Sequence, residues 1–585
     1  MAKCALLLPF LLIAAGCGTN PSKEVARLSE EIVYGSLAFS PASATASGLH
    51  EYQGQKLDDM LDDNSPAALD KQRRFYEKYR DALAAIKTDS LPPEDRADLL
   101  ILQDQVNLAL LDLNEIHTHQ HSPQYYVETL GNALFTPFVL EYAPKPDRIR
   151  QIIARLEKVP LFLDQASTNI VSAPDIWTKV ADEENDANMA LVDKEIRAGV
   201  PSDMADVYAR AARPALEAMT KFKTYLKERL APRNNYSWRL GQSLYPKKFR
   251  LVLESGIEAD DTLQRAEREL PQVRARMLKL ATPMHASLYP SHKDHIELNG
   301  ADRDNAIIGE VLASIAQKHS TRESYMDDAR KDLDQARSFV REKHVLTLPP
   351  HSNLQVIPTP AFMRGIYAVG GFVPAPALQP ELGAFYWITP IPEDWKPERV
   401  DSKLREYNFY KLKLLTIHEA MPGHYVQFEF ANSVEPKPRR LIRSVFGNGA
   451  YIEGWGQYST QAMLEEGFLN HSPEMELTFA KEELRVIANA ILDVRLQMIN
   501  WSDDEAMDLM RKQTFQEEEE ARAKLQRAKL SSAQLPTYFV GWRAWLKARD
   551  EVKAAKGSAF SLPDFHDHAL KAGAVPLPVL SILLK

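Results

Sequence analysis

The chain has 585 residues, 45% of them hydrophobic and 26% charged, with a formal charge of -9 at neutral pH. That composition supports a large buried core and excludes a disordered or fibrous chain, and the acidic balance excludes nucleic acid as a partner. The two cysteines, Cys4 and Cys17, both fall at the very start, which excludes a disulfide framework and a cysteine-ligated zinc.

Lys3 opens the chain with a positive charge, Leu6 to Ala15 are mostly apolar, and Ala14-Ala15-Gly16 place small residues before Cys17. About ten apolar residues are too few to span a bilayer, which needs about 20 in helical form. The segment resembles a bacterial lipoprotein signal cleaved before Cys17. The resemblance implies removal of residues 1–16, a lipid on Cys17, a tether over residues 17–23 and a membrane-anchored protein of the cell envelope that faces the periplasm. Gly18, where inner-membrane retention uses Asp, points to the outer membrane. Lys3 is the one charged residue removed, so the mature charge is -10.

From residue 24 to 235 the apolar residues recur at helical spacing, as in Asp95 to Asn114 and Asp147 to Val171, and this half is expected to be a helical lobe. Turns fall at Leu91-Pro92-Pro93, at Ala143 to Pro146 and at Ala231 to Asn235, the last marking the boundary to a second lobe over 236–585. No internal repeat separates them, so 24–585 reads as one continuous domain. His117, His119 and His121 read as an exposed helix end before Ser122-Pro123 rather than as metal ligands.

Leu354 to Ile357, Gly365 to Val373 and Gly383 to Thr389 are rich in β-branched and aromatic residues, which predicts a small antiparallel sheet. Phe385-Tyr386-Trp387 is either sheet core or an exposed edge able to take a substrate strand. Asp401-Ser402 is the expected start of the helix that carries the chemistry. Arg439, Arg440 and Arg443 read as a solvated basic cluster, and Glu517 to Glu520 as a solvated face.

That helix leads into His418-Glu419-Ala420-Met421-Pro422-Gly423-His424. Two histidines four apart stand about 40° from each other on a helix and can share one ion, whereas six apart they stand about 120° from each other. Pro422 interrupts the hydrogen-bond ladder and Gly423 permits unusual backbone angles, so a local bulge is expected to bring His424 back beside His418. Zinc then needs a third protein ligand and an open position for water. Glu453, in Tyr451-Ile452-Glu453-Gly454-Trp455, supplies it from a second helix, and Glu419 is the general base.

The pattern H-E-A-x-P-G-H followed by E-G-W resembles the bacterial family known as domain of unknown function 885, which looks related to gluzincin metallopeptidases. The resemblance runs from Pro41 to Leu577. It implies a mainly α fold, with two helical lobes around a deep cleft and the small sheet beside the metal helix. It also implies one Zn2+ per chain and hydrolysis of short peptides. Asp493 matches a family position suited to orienting a ligating imidazole, and Tyr538 and His566 match positions suited to stabilising the oxyanion. Gln497 stands where the family carries His, and this departure favours the rival expectation of a catalytically inactive zinc- or peptide-binding lipoprotein.

Overall fold

The structure is a computed structural model that describes residues 20–291, 295–350, 353–360, 363–364, 367 and 369–584. The expected export signal, Cys4 and the expected lipidation site Cys17 lie outside the described residues. Residues 20–23, read as the end of the tether, instead begin a helix, because the Asn20 side chain accepts the Ser22 N–H at 3.0 Å and Pro21 is preset for the first turn.

Helix accounts for 73% of the chain and strand for 3%, so the protein is mainly α with a small sheet. The buried residues form three clusters. In the first, α1 (Pro21–Phe39), α2 (Pro66–Ala84) and α3 (Pro93–Leu111) contribute Leu28, Ile32, Leu83, Leu99 and Leu102. They close against Leu441 and Ile442, far along the chain. The second cluster is built mostly from residues between Tyr126 and Leu230, including α4 (Pro123–Val139), α5 (Asp175–Ala190) and α6 (Ala205–Thr224), joined by Ala42, Leu61 and Trp387. The third and largest comes almost wholly from residues 245–584.

The sheet has three strands, β1 (Leu354–Pro358), β2 (Gly370–Val373) and β3 (Ala384–Ile388), in the order β1-β3-β2. The β2–β3 pairing is antiparallel, as expected, while β1 joins β3 in parallel with Val356 opposite Tyr386. β3 is therefore the centre, not an edge; Tyr386 and Trp387 are buried in it.

Five helices position the chemistry: α7 (Phe409–Glu419), α8 (His424–Ala431), α9 (Lys437–Val445), α10 (Gly449–Glu465) and α11 (Pro473–Met498). They are followed by α12 (Glu518–Leu530), α13 (Pro536–Lys556) and α14 (Leu562–Lys571). The start of α7 is not Asp401-Ser402, which lies inside a separate short helix; Asn408 caps it, its side chain accepting the N–H groups of Tyr410 and Lys411.

Arg439 and Arg443 of α9 are not solvated. Arg443 bonds Asp98 and Glu94 at 2.8 Å each, and Arg439 bonds Asp98 and Asp95, so the pair binds α9 to α3. Glu520 likewise turns inward and holds Arg485 at 2.7 Å.

α10 and α13 cross backbone to backbone. A Cβ on Gly454 would stand 2.4 Å from the Gly541 carbonyl carbon, and one on Gly541 would stand 1.8 Å from the Ala450 oxygen. No larger residue fits at either position without forcing the helices apart. Gly541→Ala should therefore lower stability by about 3 kcal/mol or more, measured as an earlier urea midpoint; an unchanged midpoint would show that the crossing tolerates separation.

Candidate metal centre

The two histidines are brought together by a break, not a bulge. α7 ends at Glu419, the chain turns through Ala420 to Gly423, and His424 begins α8. The Gly423 N–H donates to the Ile417 carbonyl at 2.9 Å, and a Cβ on Gly423 would overlap the His418 carbonyl oxygen. The indole N–H of Trp455 donates to the carbonyls of Pro422 and Gly423 at 3.0 and 3.2 Å. The E-G-W segment thus holds the P-G turn of the first motif directly.

The imidazole centroids of His418 and His424 are 4.6 Å apart and their planes cross at 80°. From α10, Glu453 points Oε2 between them, 3.4 Å from His418 Nε2 and 3.5 Å from His424 Nε2. This oxygen is buried and makes no hydrogen bond within the described residues. Ligand atoms about 2.1 Å from a tetrahedral ion stand about 3.4 Å from one another; the Glu453 oxygen has this spacing to both imidazoles, and a nitrogen of each ring lies within 4.8 Å of one on the other, so the three donors fit zinc. Burial works against the Glu453 charge, yet the adjoining imidazoles hold its carboxyl well below the usual carboxylate range. Glu419 stands slightly back, with one oxygen within 4.8 Å of a nitrogen on each ring.

A second cluster, His285, His295 and Glu310, differs in kind. His285 Nε2 and Glu310 Oε2 are 2.8 Å apart, which is hydrogen-bond spacing.

Packing, not a carboxylate, orients the ligating rings. The Nδ1 atoms of His418 and His424 have no hydrogen-bond partner among the described residues. A Cβ on Gly456 would stand 2.5 Å from His418 Cε1, so only glycine leaves room for that ring, and Phe372 of β2 lies 6.4 Å from the His424 ring. Asp493, expected to orient an imidazole, is engaged elsewhere: its Oδ2 accepts from the Tyr245 hydroxyl at 2.8 Å and the Ala533 N–H at 2.7 Å. Gln497, one turn on, accepts from the Leu240 N–H and donates to the Ser531 carbonyl. Both residues of this α11 face are therefore scaffold.

His566 also departs from expectation. It is fully buried, bonded through Nδ1 to the Val345 carbonyl at 2.7 Å and through Nε2 to the Tyr458 hydroxyl at 2.8 Å. Burial pushes its pKa down to about 4, and its ring packs against Trp455, so it supports the E-G-W helix from behind. With both nitrogens occupied it has none to offer a substrate.

Tyr538 does reach the site. Its ring stacks beside His418 at 6.2 Å and 16°, and Arg527 of α12 donates to its hydroxyl at 3.3 Å. Burial, with the nearby Glu453 charge, pushes this phenol up to about 12, so it stays a proton donor at neutral pH. Sequence reasoning missed Arg527 and also Tyr367, whose phenol is pushed up by burial and then by Glu419 and Glu453. Arg527 shares a helix with an acidic run, and Tyr367 lay inside an expected strand; neither position carries a local signal.

The histidines at 117–121 do not form an exposed helix end: His119 is buried, and His121 stacks on Tyr236 at 3.6 Å and contacts the Ser172 carbonyl.

A helical protein with two histidines and a glutamate converging from separate helices is the class that the fold and site define. Residues 41–584 match the family described as bacterial protein of unknown function, DUF885, and the chain belongs to it. Among solved structures it is similar to a candidate lipoprotein of unknown function from Shewanella oneidensis, at 28% identity over 96% of this chain and 99% of that one, with a TM-score of 0.77. A candidate lipoprotein from Colwellia psychrerythraea shares the fold at 18% identity, covering 97% and 98% of the two chains with a TM-score of 0.76. No curated protein matches. No helix of the described residues is long and apolar enough to cross a membrane.

Asp493 generates a pH prediction. Burial pushes its carboxyl up to about 7, against the hydrogen bonds from Tyr245 and Ala533. The folded state then keeps a proton that the unfolded chain releases above about pH 4, so this contribution is complete at low pH and is lost as pH rises to about 7, by at most about 4 kcal/mol. Urea unfolding in chelator at pH 4.5 and 7.5 should show Asp493→Asn shrinking the difference between the two midpoints; an unchanged difference would assign the slope to other groups.

Proposed function

We propose that the protein is a zinc-dependent peptidase of the bacterial cell envelope, acting on short peptides, with His418, His424 and Glu453 as ligands of one Zn2+. The observation that carries this reading is the Glu453 oxygen set between two imidazole nitrogens at 3.4 and 3.5 Å. Zinc held by these residues supplies Lewis acidity and lowers the pKa of water to about 7.

The chain's own groups do the rest. Glu419 accepts the proton of the attacking water and delivers it to the leaving amide nitrogen. Tyr538 donates a hydrogen bond to the carbonyl oxygen as negative charge develops there, and Arg527 fixes the direction of that phenol. β2 pairs only with β3 among the described residues and carries Phe372 beside His424, so its unpaired edge suits an extended peptide laid along it. This moves the expected substrate strand from Phe385-Tyr386-Trp387 to the neighbouring edge.

Export and anchoring through a lipid on Cys17 complete the proposal, supported by the signal-like start and by the description of the Shewanella neighbour as a candidate lipoprotein. The inactive-lipoprotein alternative loses its one support, since Gln497 is occupied by the Leu240 and Ser531 backbone rather than facing the ligands.

Glu419→Gln should keep zinc while lowering turnover of a mixed peptide library by about 10²- to 10⁴-fold, read by mass spectrometry. His418→Ala should lose zinc, and a chelator should stop the wild type. Full turnover by Glu419→Gln would remove Glu419 from the role of base.

A further inference from the structure

α12 presents Glu520, Lys524 and Arg527 on one face, at i, i+4 and i+7. The cations around this face are matched with carboxylates: Arg485 with Glu520 and Glu482, Lys411 with Glu482, and Lys481 with Glu406. Lys524 and Arg527 are the exceptions. Arg527 donates only to neutral oxygens, those of Tyr538 and Gln534, and neither residue makes an ion pair within the described residues. Lys524 is only 4% exposed.

Lys524 is buried and Arg527 half-buried, and neighbouring cations so placed with no ion pair are costly, because burial removes water and like charges repel. The cost falls on Lys524, whose ammonium is pushed well down by burial and then by Arg485, against Glu520, with Arg527 adding to it; the Arg527 guanidinium is itself raised, chiefly by Tyr538. An anion placed between the pair would relieve this strain and gain charge-assisted hydrogen bonds, bidentate ones from the guanidinium.

Their position says which anion. Tyr538 stacks beside His418, Arg527 is one hydrogen bond from Tyr538, and Lys524 is one helical turn further from Arg527. A peptide whose scissile carbonyl meets Tyr538 advances at most about 3.6 Å per residue, so Arg527 and Lys524 are within reach of a group one or two residues beyond the cut. The free carboxylate that ends a peptide has the charge and the planar geometry for this place.

We propose that Lys524 and Arg527 form a carboxylate subsite that takes the C-terminal carboxylate of a peptide, so that the protein trims peptides from the carboxyl end. This rests on the peptidase reading for its consequence, although the subsite itself does not require catalysis. A cut one or two residues from that carboxylate releases an amino acid or a dipeptide.

The test is calorimetric binding to full-length Glu419→Gln protein in detergent, with zinc and again after chelation. The probes are Ala-Ala-Phe as free acid, its C-terminal amide, and the C-terminal amide of Ala-Ala-Glu. The free acid should bind about tenfold or more tightly than either amide, with or without zinc. Adding Lys524→Met should close that gap, while Lys524→Arg, which keeps the charge, should retain it and report that the fold is intact.

Equal binding of acid and amide would overturn the proposal, as would a gap that survives both Lys524→Met and Arg527→Met. Tight binding of the Ala-Ala-Glu amide would reassign the subsite to acidic side chains and overturn carboxyl-end trimming. An intact gap in a wild type that cleaves no peptide would instead count against the peptidase reading and leave the subsite standing.

Discussion

The site depends on one close approach. At Gly454 and Gly541 two helices cross with no side chain between them, and a methyl group at either position would meet backbone atoms at 2.4 and 1.8 Å. Glu453 lies one residue before the first glycine and Tyr538 three residues before the second, so this crossing sets the ligand carboxylate and the phenol relative to each other. Helices kept apart by side chains would stand about 8–10 Å axis to axis, so a larger residue at either glycine would move Glu453 and Tyr538 apart. The E-G-W motif is thus a packing device as much as a ligand: the glutamate points inward, the glycine allows the crossing, and the tryptophan holds the turn that carries His424.

The second constraint is the break between α7 and α8. A continuous helix would separate histidines six apart by about 120°; ending one helix at Glu419 and starting another at His424 frees the second imidazole from that rule. The candidate centre then gathers side chains from three helices, and among the described residues no carboxylate bonds the outer nitrogen of either histidine. Space fixes the rings instead, with Gly456 against His418 and Phe372 beside His424.

The convergence of His418, His424 and Glu453 was legible in the sequence because its signals are local: a histidine–glutamate pair, a proline–glycine interruption and a second short motif with a carboxylate. The helical class was legible from periodicity, and so was the sheet from its aromatic and β-branched runs, though not the parallel pairing of β1, which depends on a partner 30 residues away. Roles that depend on distant partners were read wrongly. Asp493 and His566 have the residue types of catalytic support, but Tyr245 and Ala533 hold one oxygen of the Asp493 carboxyl, and Val345 and Tyr458 take both nitrogens of His566. Arg527 was invisible for the opposite reason, since only the fold sets it against Tyr538. The acidic run likewise hid the inward turn of Glu520, because four consecutive charges on a helix cannot all face one way.

The account stands or falls on the ion. Elemental analysis of full-length wild-type protein beside Glu453→Ala tests it most directly. It predicts about one zinc per chain in the wild type and its loss in the variant; a wild type that binds no metal under zinc-replete conditions, or a variant that keeps its zinc in full, would contradict it.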